Sequence, residues 1–380
     1  MSIAAIETYF FEHPLARPFH PTWVPMHEQT ANRCLILKLI TDDGLEGIAA
    51  ASVFSEEQAR LLRFIVQDTI GQFLIGADPK DVELLAEVVR LYGFMIGGRP
   101  WLVEAALWDL VGKMAGEPLC RYWGGARTEL ELYASTGELA TVEHAPERAL
   151  AARDAGFRAI KLRARHFDYR EDLEAVRAVR AAVGDTMRIL VDANQGWTLS
   201  PLGVKWDYET ALAFCRGVED LDVYWVEEPL HRFDYDGLAR LRAAVDVPIA
   251  GGEMNQGMHE FKVLLEKDCL DVYQPDATLA GGVSVAREVA RLALARGRSF
   301  SPHTWTNGIG FAINLQIAAS LTECPFLEYP WEPESWSPEA RDAMLTQPFL
   351  AKDGAISVPE GAGFGVTLNP EAMGRFAKRL

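Results

Sequence analysis

Residues 188–229 read RILVDANQGWTLSPLGVKWDYETALAFCRGVEDLDVYWVEEP. Arg188–Asp192 and Val223–Glu227 are short apolar runs that each end on an acid, and Tyr208–Val218 between them spaces its apolar residues as a helix does. Two short buried strands joined through a helix make a parallel βαβ unit. The unit recurs in both directions. Leu130–Ser135, Ala159–Arg163, Pro248–Glu253, Leu270–Asp276, Arg298–His303 and Phe326–Glu328 are the other candidate strands, with helical stretches at Arg170–Val183, Asp236–Ala244 and Val283–Ala295. This alternation predicts a (β/α)8 barrel of the TIM type, its last helix the least distinct.

The chain ahead of residue 126 has another rhythm. Ile3–Phe11, Cys34–Ile40 and Leu45–Ala50 are expected strands, the last two joined by the turn residues Thr41-Asp42-Asp43-Gly44. Pro14–Gln29, rich in Pro, His and aromatics, is expected as a long loop of the kind that serves as a lid. Ser55-Glu56-Glu57 can cap a helix, and Asp81–Leu91 and Trp101–Met114 read as two more. The expected division is an α+β capping domain over 1–125, the barrel over 126–330, and a C-terminal segment, 331–380, that returns to the capping domain.

With 37 Lys and Arg against 54 Asp and Glu, the 380 residues carry a net charge of −17, and 49% of them are hydrophobic. That balance is globular. The acidity argues against nucleic acid and against an anionic membrane surface. No uncharged apolar run reaches the roughly 18 residues a membrane span needs. Met1-Ser2-Ile3-Ala4 opens no signal peptide. The cysteines Cys34, Cys120, Cys215, Cys269 and Cys324 lack metal or redox spacing and read as buried reduced thiols. A cytoplasmic protein is expected.

Barrel enzymes carry their chemistry at the C-terminal ends of the strands. Here those ends present Lys161 and Arg163, Asp192 and Asn194, Glu227 and Glu228, then Glu253, Asp276, His303 and Glu328. Spaced one βα unit apart, they should meet at one mouth. Asp192, Glu227 and Glu253 would repel unless a cation joined them. An all-oxygen set suits Mg²⁺, with Mn²⁺ as substitute. Strand alternation sends Glu227 and Glu228 to opposite faces, and Trp225, in phase with Glu227, does not settle which face is inward. Asp276 and His303 read as a dyad in which the carboxylate fixes the imidazole tautomer.

The ordered set resembles the enolase superfamily, and within it the mandelate racemase subgroup, over nearly the whole chain. The carriers are Glu104-Ala105-Ala106-Leu107-Trp108-Asp109-Leu110 with Gly112-Lys113 and Gly124-Gly125, then Lys161-Leu162-Arg163, Val191-Asp192-Ala193-Asn194, Val226-Glu227-Glu228-Pro229, Gly251-Gly252-Glu253, Gln274-Pro275-Asp276 with Gly281-Gly282, and His303. The resemblance implies Glu227, not Glu228, as the middle metal ligand. It implies a divalent metal that binds a substrate carboxylate, a base that removes the proton α to it, and a metal-held enediolate. Lys161 should contact the substrate carboxylate, and Glu328, if protonated, could donate to an enediolate oxygen. Members that use two bases have Lys at both charged positions of the motif. Arg163 departs from that, and a guanidinium is a poor base.

Racemisation needs proton delivery on both faces, whereas dehydration needs one base and one acid. The expectation is therefore a lyase that dehydrates a sugar acid, an aldonate or aldarate, to a 2-keto-3-deoxy acid. A racemase or epimerase, a lactone cycloisomerase, and a non-catalytic sugar-acid binding protein are the alternatives. His20, Trp23, Phe54 and Asn194 are candidate substrate contacts, with His27 a further histidine in reach, while His13, His144, His166 and His231 read as surface or packing residues. The resemblance also implies a homo-oligomer that binds a small-molecule carboxylate.

Overall fold

The computed structural model describes residues 1–96, 100–197 and 205–380. Strands β1 (Ile3–Phe19), β2 (Gln29–Thr41) and β3 (Glu46–Ser52) form an antiparallel sheet. β1 runs longer than its sequence suggests. Its pairing with β2 continues through Pro14↔Ala31 to Phe19↔Gln29, so the expected 14–29 loop shrinks to residues 20–28. Pro14 is tolerated because it lies past the stretch of β1 that has a second neighbour, and its missing N–H breaks no ladder there.

Ser55 caps helix Glu56–Arg63, its side chain accepting from the Gln58 N–H, and a π-helical turn follows at Phe64–Ile70. Helices Val82–Ile96 and Leu102–Ala115 come next, the latter packed closely on β3, where Gly47 leaves room for the Ala106 carbonyl.

The second sheet holds the parallel strands β4 (Glu129–Ser135), β5 (Ala159–Arg163), β6 (Arg188–Asp192), β7 (Val223–Glu227), β8 (Ile249–Gly251), β9 (Val272–Tyr273), β10 (Ser299–Phe300) and β11 (Leu327–Pro330). They follow in chain order around the ring, with β11 beside β4. Among the described residues no ladder joins β10 to β11. Hydroxyls bridge that seam instead: Ser301 Oγ donates to the Phe326 carbonyl and Thr304 Oγ1 to the Glu328 carbonyl, both at 2.7 Å. Tyr133, Leu190, Trp225 and Val272 fill the interior below the mouth.

β8, β9 and β10 stop short of the ends expected for them. Gly252 turns the chain at φ +114°, and Pro275 and Pro302 have no N–H to offer a neighbour. Glu253, Asp276 and His303 therefore stand on irregular backbone just past their strands. The sequence also hid helix Gly308–Ala319. It is buried on every side, so it shows no amphipathic period. After β11 the helices are short, Pro338–Arg341 and Pro370–Phe376 among the described residues.

The tail contributes β12 (Ala355–Ser357), antiparallel to β4, and β13 (Ala377–Arg379), antiparallel to β1. Among the described residues no helix is long and apolar enough to cross a membrane.

One buried carboxylate ties three distant segments together. Asp109, fully buried in helix Leu102–Ala115, accepts from the Ile48 N–H of β3 and the Phe364 N–H of the tail at 2.9 Å, and from Lys113 Nζ at 2.7 Å. Asp109→Ala would leave two buried N–H groups unpartnered and the Lys113 ammonium with the Glu46 carbonyl but no counter-charge. The expected loss in urea unfolding is about 3–5 kcal/mol. A loss under about 1 kcal/mol would remove this role.

Candidate active site

The parallel register sets the first layer of the site. Arg163 lies opposite Asp192, and Asp192 opposite Glu227, so β5, β6 and β7 present three charged side chains at one level. Trp225 is wholly buried inside the ring and its indole N–H donates to Glu227 Oε2 at 3.3 Å, so Glu227 is the inward member of the doublet. Glu228 adopts a left-handed backbone, φ +47°, which swings its carboxyl against Gly196. A left-handed non-glycine residue costs of order 1–3 kcal/mol and is typical of functional loops. Asn194, at φ +47°, is another.

Asp192, Glu227 and Glu253 are buried, and each can offer a carboxylate oxygen such that all three lie within 4.8 Å of one another. Their surroundings are crowded with acid. Asp276, Glu328 and Glu228 are buried alongside, against four cations among the described residues: Lys161, Arg163, His303 and, bonded to the Asn194 carbonyl, Arg165. Burial pushes the Glu227 carboxyl up. It pushes Glu228 up much further, helped by the negative charges of Glu253 and Asp192. Glu228 Oε2 has no hydrogen-bond partner. A site this rich in oxygen donors and short of positive charge fits a divalent cation of the Mg²⁺ kind.

Each acid of the triad is held in place. Lys161 Nζ sits 2.7 Å from Glu227 Oε1 and 2.7 Å from Glu328 Oε1. Arg163 Nη1 is ion-paired with Asp192 Oδ2, and its Nε donates to the Thr136 carbonyl at 2.5 Å. Its guanidinium lies 5.0 Å from the Trp23 ring and 5.9 Å from that of Trp305. Asn194 donates to both Asp192 oxygens, from its backbone N at 2.7 Å and from Nδ2 at 2.9 Å. Trp197 Nε1 donates to Glu253 Oε1 at 2.8 Å, and Gln274 Nε2 to Glu227 Oε2 at 2.8 Å.

Asp276 Oδ2 lies 2.9 Å from His303 Nδ1, while its Oδ1 accepts from Thr278 and from Asn314 Nδ2 at 2.9 Å. The other imidazole nitrogen, Nε2, faces Glu253 Oε2 at 3.2 Å and Glu328 Oε2 at 4.0 Å. Burial alone would lower the His303 pKa, but Glu253, Glu328 and Asp276 outweigh it and hold it at about 10.

The mouth opens into a cavity of about 920 Å³. Trp23, Phe54, Asn194, Arg163, Glu253 and His303 line it, with Ser52 and Val53 at the end of β3. Several expectations change here. His20 is outside the lining. Its imidazole is 61% exposed and lies 3.4 Å from Glu28, because the shortened loop points it outward. His27 lines the cavity instead. Lys161 is wholly buried beneath the mouth, spent on Glu227 and Glu328, and does not line the cavity. Asn194 reaches the cavity wall but spends its amide N–H on Asp192.

Glu328 does not carry a proton to donate. Burial acts to raise it, yet Lys161, His303 and Arg163 leave it ionised, with a pKa of about 2. It accepts from Ser135 Oγ at 2.7 Å and from the Thr304 N–H at 2.6 Å. His231, expected as a surface or packing residue, also lines the cavity, as do Trp197, Arg232, Trp305 and Trp336. Trp305 stands two positions past His303, the one of these that strand-end reasoning could have reached.

Known proteins match along the whole chain. Residues 5–124 fit the "Mandelate racemase / muconate lactonizing enzyme, N-terminal domain" family and residues 144–372 the "Enolase C-terminal domain-like" family. A D-galactarolactone cycloisomerase from Agrobacterium fabrum is 30% identical, with 99% of each chain covered. An L-talarate/galactarate dehydratase from Salmonella typhimurium is 30% identical over 94% of this chain and 87% of its own. Among solved structures, an L-talarate dehydratase from Polaromonas sp. JS666 complexed with Mg and L-glucarate superposes with a TM-score of 0.82. It is 27% identical and covers 100% of this chain and 98% of its own.

Singly replacing Asp192, Glu227 or Glu253 by the matching amide should weaken Mg²⁺ binding about 100-fold or more in calorimetric titration. Asn194→Ala, which removes the side-chain bond to Asp192 and a longer one from Arg163, should cost about 10-fold. Unchanged affinity in all three amide variants would move the metal elsewhere.

Proposed function

We propose, from the premise that this chain belongs to the enolase superfamily in its mandelate racemase subgroup, that it dehydrates a sugar acid, an aldonate or aldarate, to a 2-keto-3-deoxy acid. A divalent cation held by Asp192, Glu227 and Glu253, Mg²⁺ with Mn²⁺ as substitute, supplies electrostatic stabilisation to the charge that develops on the substrate carboxylate. The chain's own residues do the rest. The Glu253 charge that holds His303 protonated would be offset by that cation, which would free Nε2 to take the proton α to the substrate carboxylate while Asp276 keeps the Nδ1 proton in place. The C–O bond at the β-carbon then breaks, the hydroxyl leaving as water with a proton from His303, and the enol so formed tautomerises to the 2-keto-3-deoxy acid. The proton His303 takes is thus the one it gives up, and the residue ends as it began. Trp23, Phe54 and the 20–28 loop close the cavity against bulk water.

The observation that carries this reading is the state of Arg163. It is bonded to Asp192 and to the Thr136 carbonyl and lies beside Trp23 and Trp305, and a guanidinium holds its protons. Lys161 is buried under the triad. Of the basic groups at the triad end, His303 alone is placed to exchange a proton with a ligand in the cavity. One base suffices for elimination and does not suffice for racemisation. Opening of a sugar lactone is also an elimination, and the cycloisomerase relative supports it as a second reading.

A protein that works in the cytoplasm as a homo-oligomer, on small carboxylates and without nucleic acid or membrane partners, completes the proposal. Five buried, unpaired cysteines and the charge of −17 support it.

Incubating the protein and Mg²⁺ with aldonates, aldarates and their lactones, and assaying 2-keto-3-deoxy acids, tests the reaction. His303→Asn should lose at least about 1,000-fold in kcat and also lose α-deuterium uptake from D₂O. Deuterium uptake without loss of water in the unaltered protein would point to an epimerase instead. Exhaustive chelation should abolish turnover and Mg²⁺ restore it.

A further inference from the structure

The cavity above the triad has a charge opposite to that of the chain. The protein carries −17, yet among the described residues Glu253 is the only acid in the lining. Arg33, Arg163, Lys205 and Arg232 line the same space, with His27 and His231. Two of these cations are already committed, Arg163 to Asp192 and Arg33 to Glu12 at 2.8 Å.

Arg232 is not. It follows β7 beyond Pro229 and is tied to the loop after β6: its backbone N donates to the Gly196 carbonyl at 3.1 Å and its Nη1 to the same oxygen at 3.3 Å. Its guanidinium rests 4.4 Å from the Phe233 ring, its Nε is buried with no hydrogen-bond partner, and no carboxylate pairs with it among the described residues. Lys205 likewise pairs with no acid there, and the stretch 198–204 beside it contains no Asp or Glu. His231, Lys205 and Arg232 line the same cavity, and partial burial, then the charges of Arg232 and Lys205, push the His231 pKa down against the opposing charge of Asp234.

Two like charges that form no ion pair are costly to hold together, and a guanidinium without a carboxylate partner is a fork for a carboxylate or phosphate. The reacting carboxylate belongs at the triad. The basic cluster therefore has to answer to a different anion.

We propose that the substrate is a dianion, a sugar acid whose end remote from the reacting carboxylate carries a second anionic group, seated on Arg232 with Lys205 and His231. The inference rests on the dehydratase reading and narrows its substrate class. A cavity of about 920 Å³ accommodates such a chain.

The test compares acids that share a configuration and differ only at the terminal carbon: the aldonate, the aldarate, and the aldonate carrying a terminal phosphate. Turnover and calorimetric binding are measured with Mg²⁺ across the configurations. One dianion should exceed its aldonate by at least about 30-fold in kcat/KM, chiefly through KM, and the advantage should shrink at high salt. Which dianion wins tells carboxylate from phosphate. Arg232→Met, checked for an unchanged Tm, should bring the dianion-to-aldonate ratio to within about threefold of unity, and Arg232→Lys should restore part of it. Lys205→Met should lower the ratio less.

An aldonate used as well as the dianions, or a ratio that Arg232→Met leaves intact, overturns the proposal while the dehydratase reading stands. If no acid in the panel binds or turns over, both fall together.

Discussion

Everything at the barrel mouth is arranged around one difficulty, the burial of more carboxyl groups than the nearby cations can balance. Asp192, Glu227, Glu253, Asp276, Glu328 and Glu228 share a small volume with Lys161, Arg163 and His303. Each of these three cations is consequently pulled onto an acid, and its chemistry is limited by that pairing. Lys161 becomes a strut between Glu227 and Glu328. Arg163 becomes a clamp on Asp192, flanked by the rings of Trp23 and Trp305. Only His303 keeps one nitrogen on a fixed partner and turns the other toward the cavity side, where Glu253 stands. The division of labour follows from charge crowding more than from any single residue's identity.

The same constraint explains the backbone. Acids that must converge cannot all sit on ideal strands. Glu253, Asp276 and His303 stand past the last ladder bonds, next to Gly252, Pro275 and Pro302, and Glu228 and Asn194 accept left-handed conformations. The ring itself relaxes at β10 and β11, where Ser301 and Thr304 hydroxyls take over from a ladder. His303 and Glu328 flank that seam.

Much of this was legible in the chain. The βα rhythm announced the barrel, and acids at successive strand ends announced the mouth, because both depend on periodicity that a single sequence carries. The doublet Glu227-Glu228 was not decidable from alternation alone. It took the buried ring of Trp225 to show which parity faces inward. The ionisation of Glu328 was out of reach as well, since it is set by Lys161 and His303, which arrive from other strands. Helix Gly308–Ala319 escaped because burial on all sides erases amphipathicity. His20 and His231 exchanged roles. Loop length decided the first, and the contact between Arg232 and Gly196 brings the second's loop to the cavity.

The pairing of β13 with β1 has a consequence for how the chain is made. On the edge away from β2, Tyr9, Phe10 and Phe11 find their partners at Arg379, Lys378 and Ala377, and Asp109 waits similarly for Phe364. During synthesis the amino-terminal sheet must pass the whole time of barrel translation with one strand edge bare and one buried carboxylate short of a donor. Such an edge invites pairing with another nascent chain. The barrel, whose strands pair with near neighbours in sequence, can close first and serve as the surface on which the amino-terminal sheet is later completed.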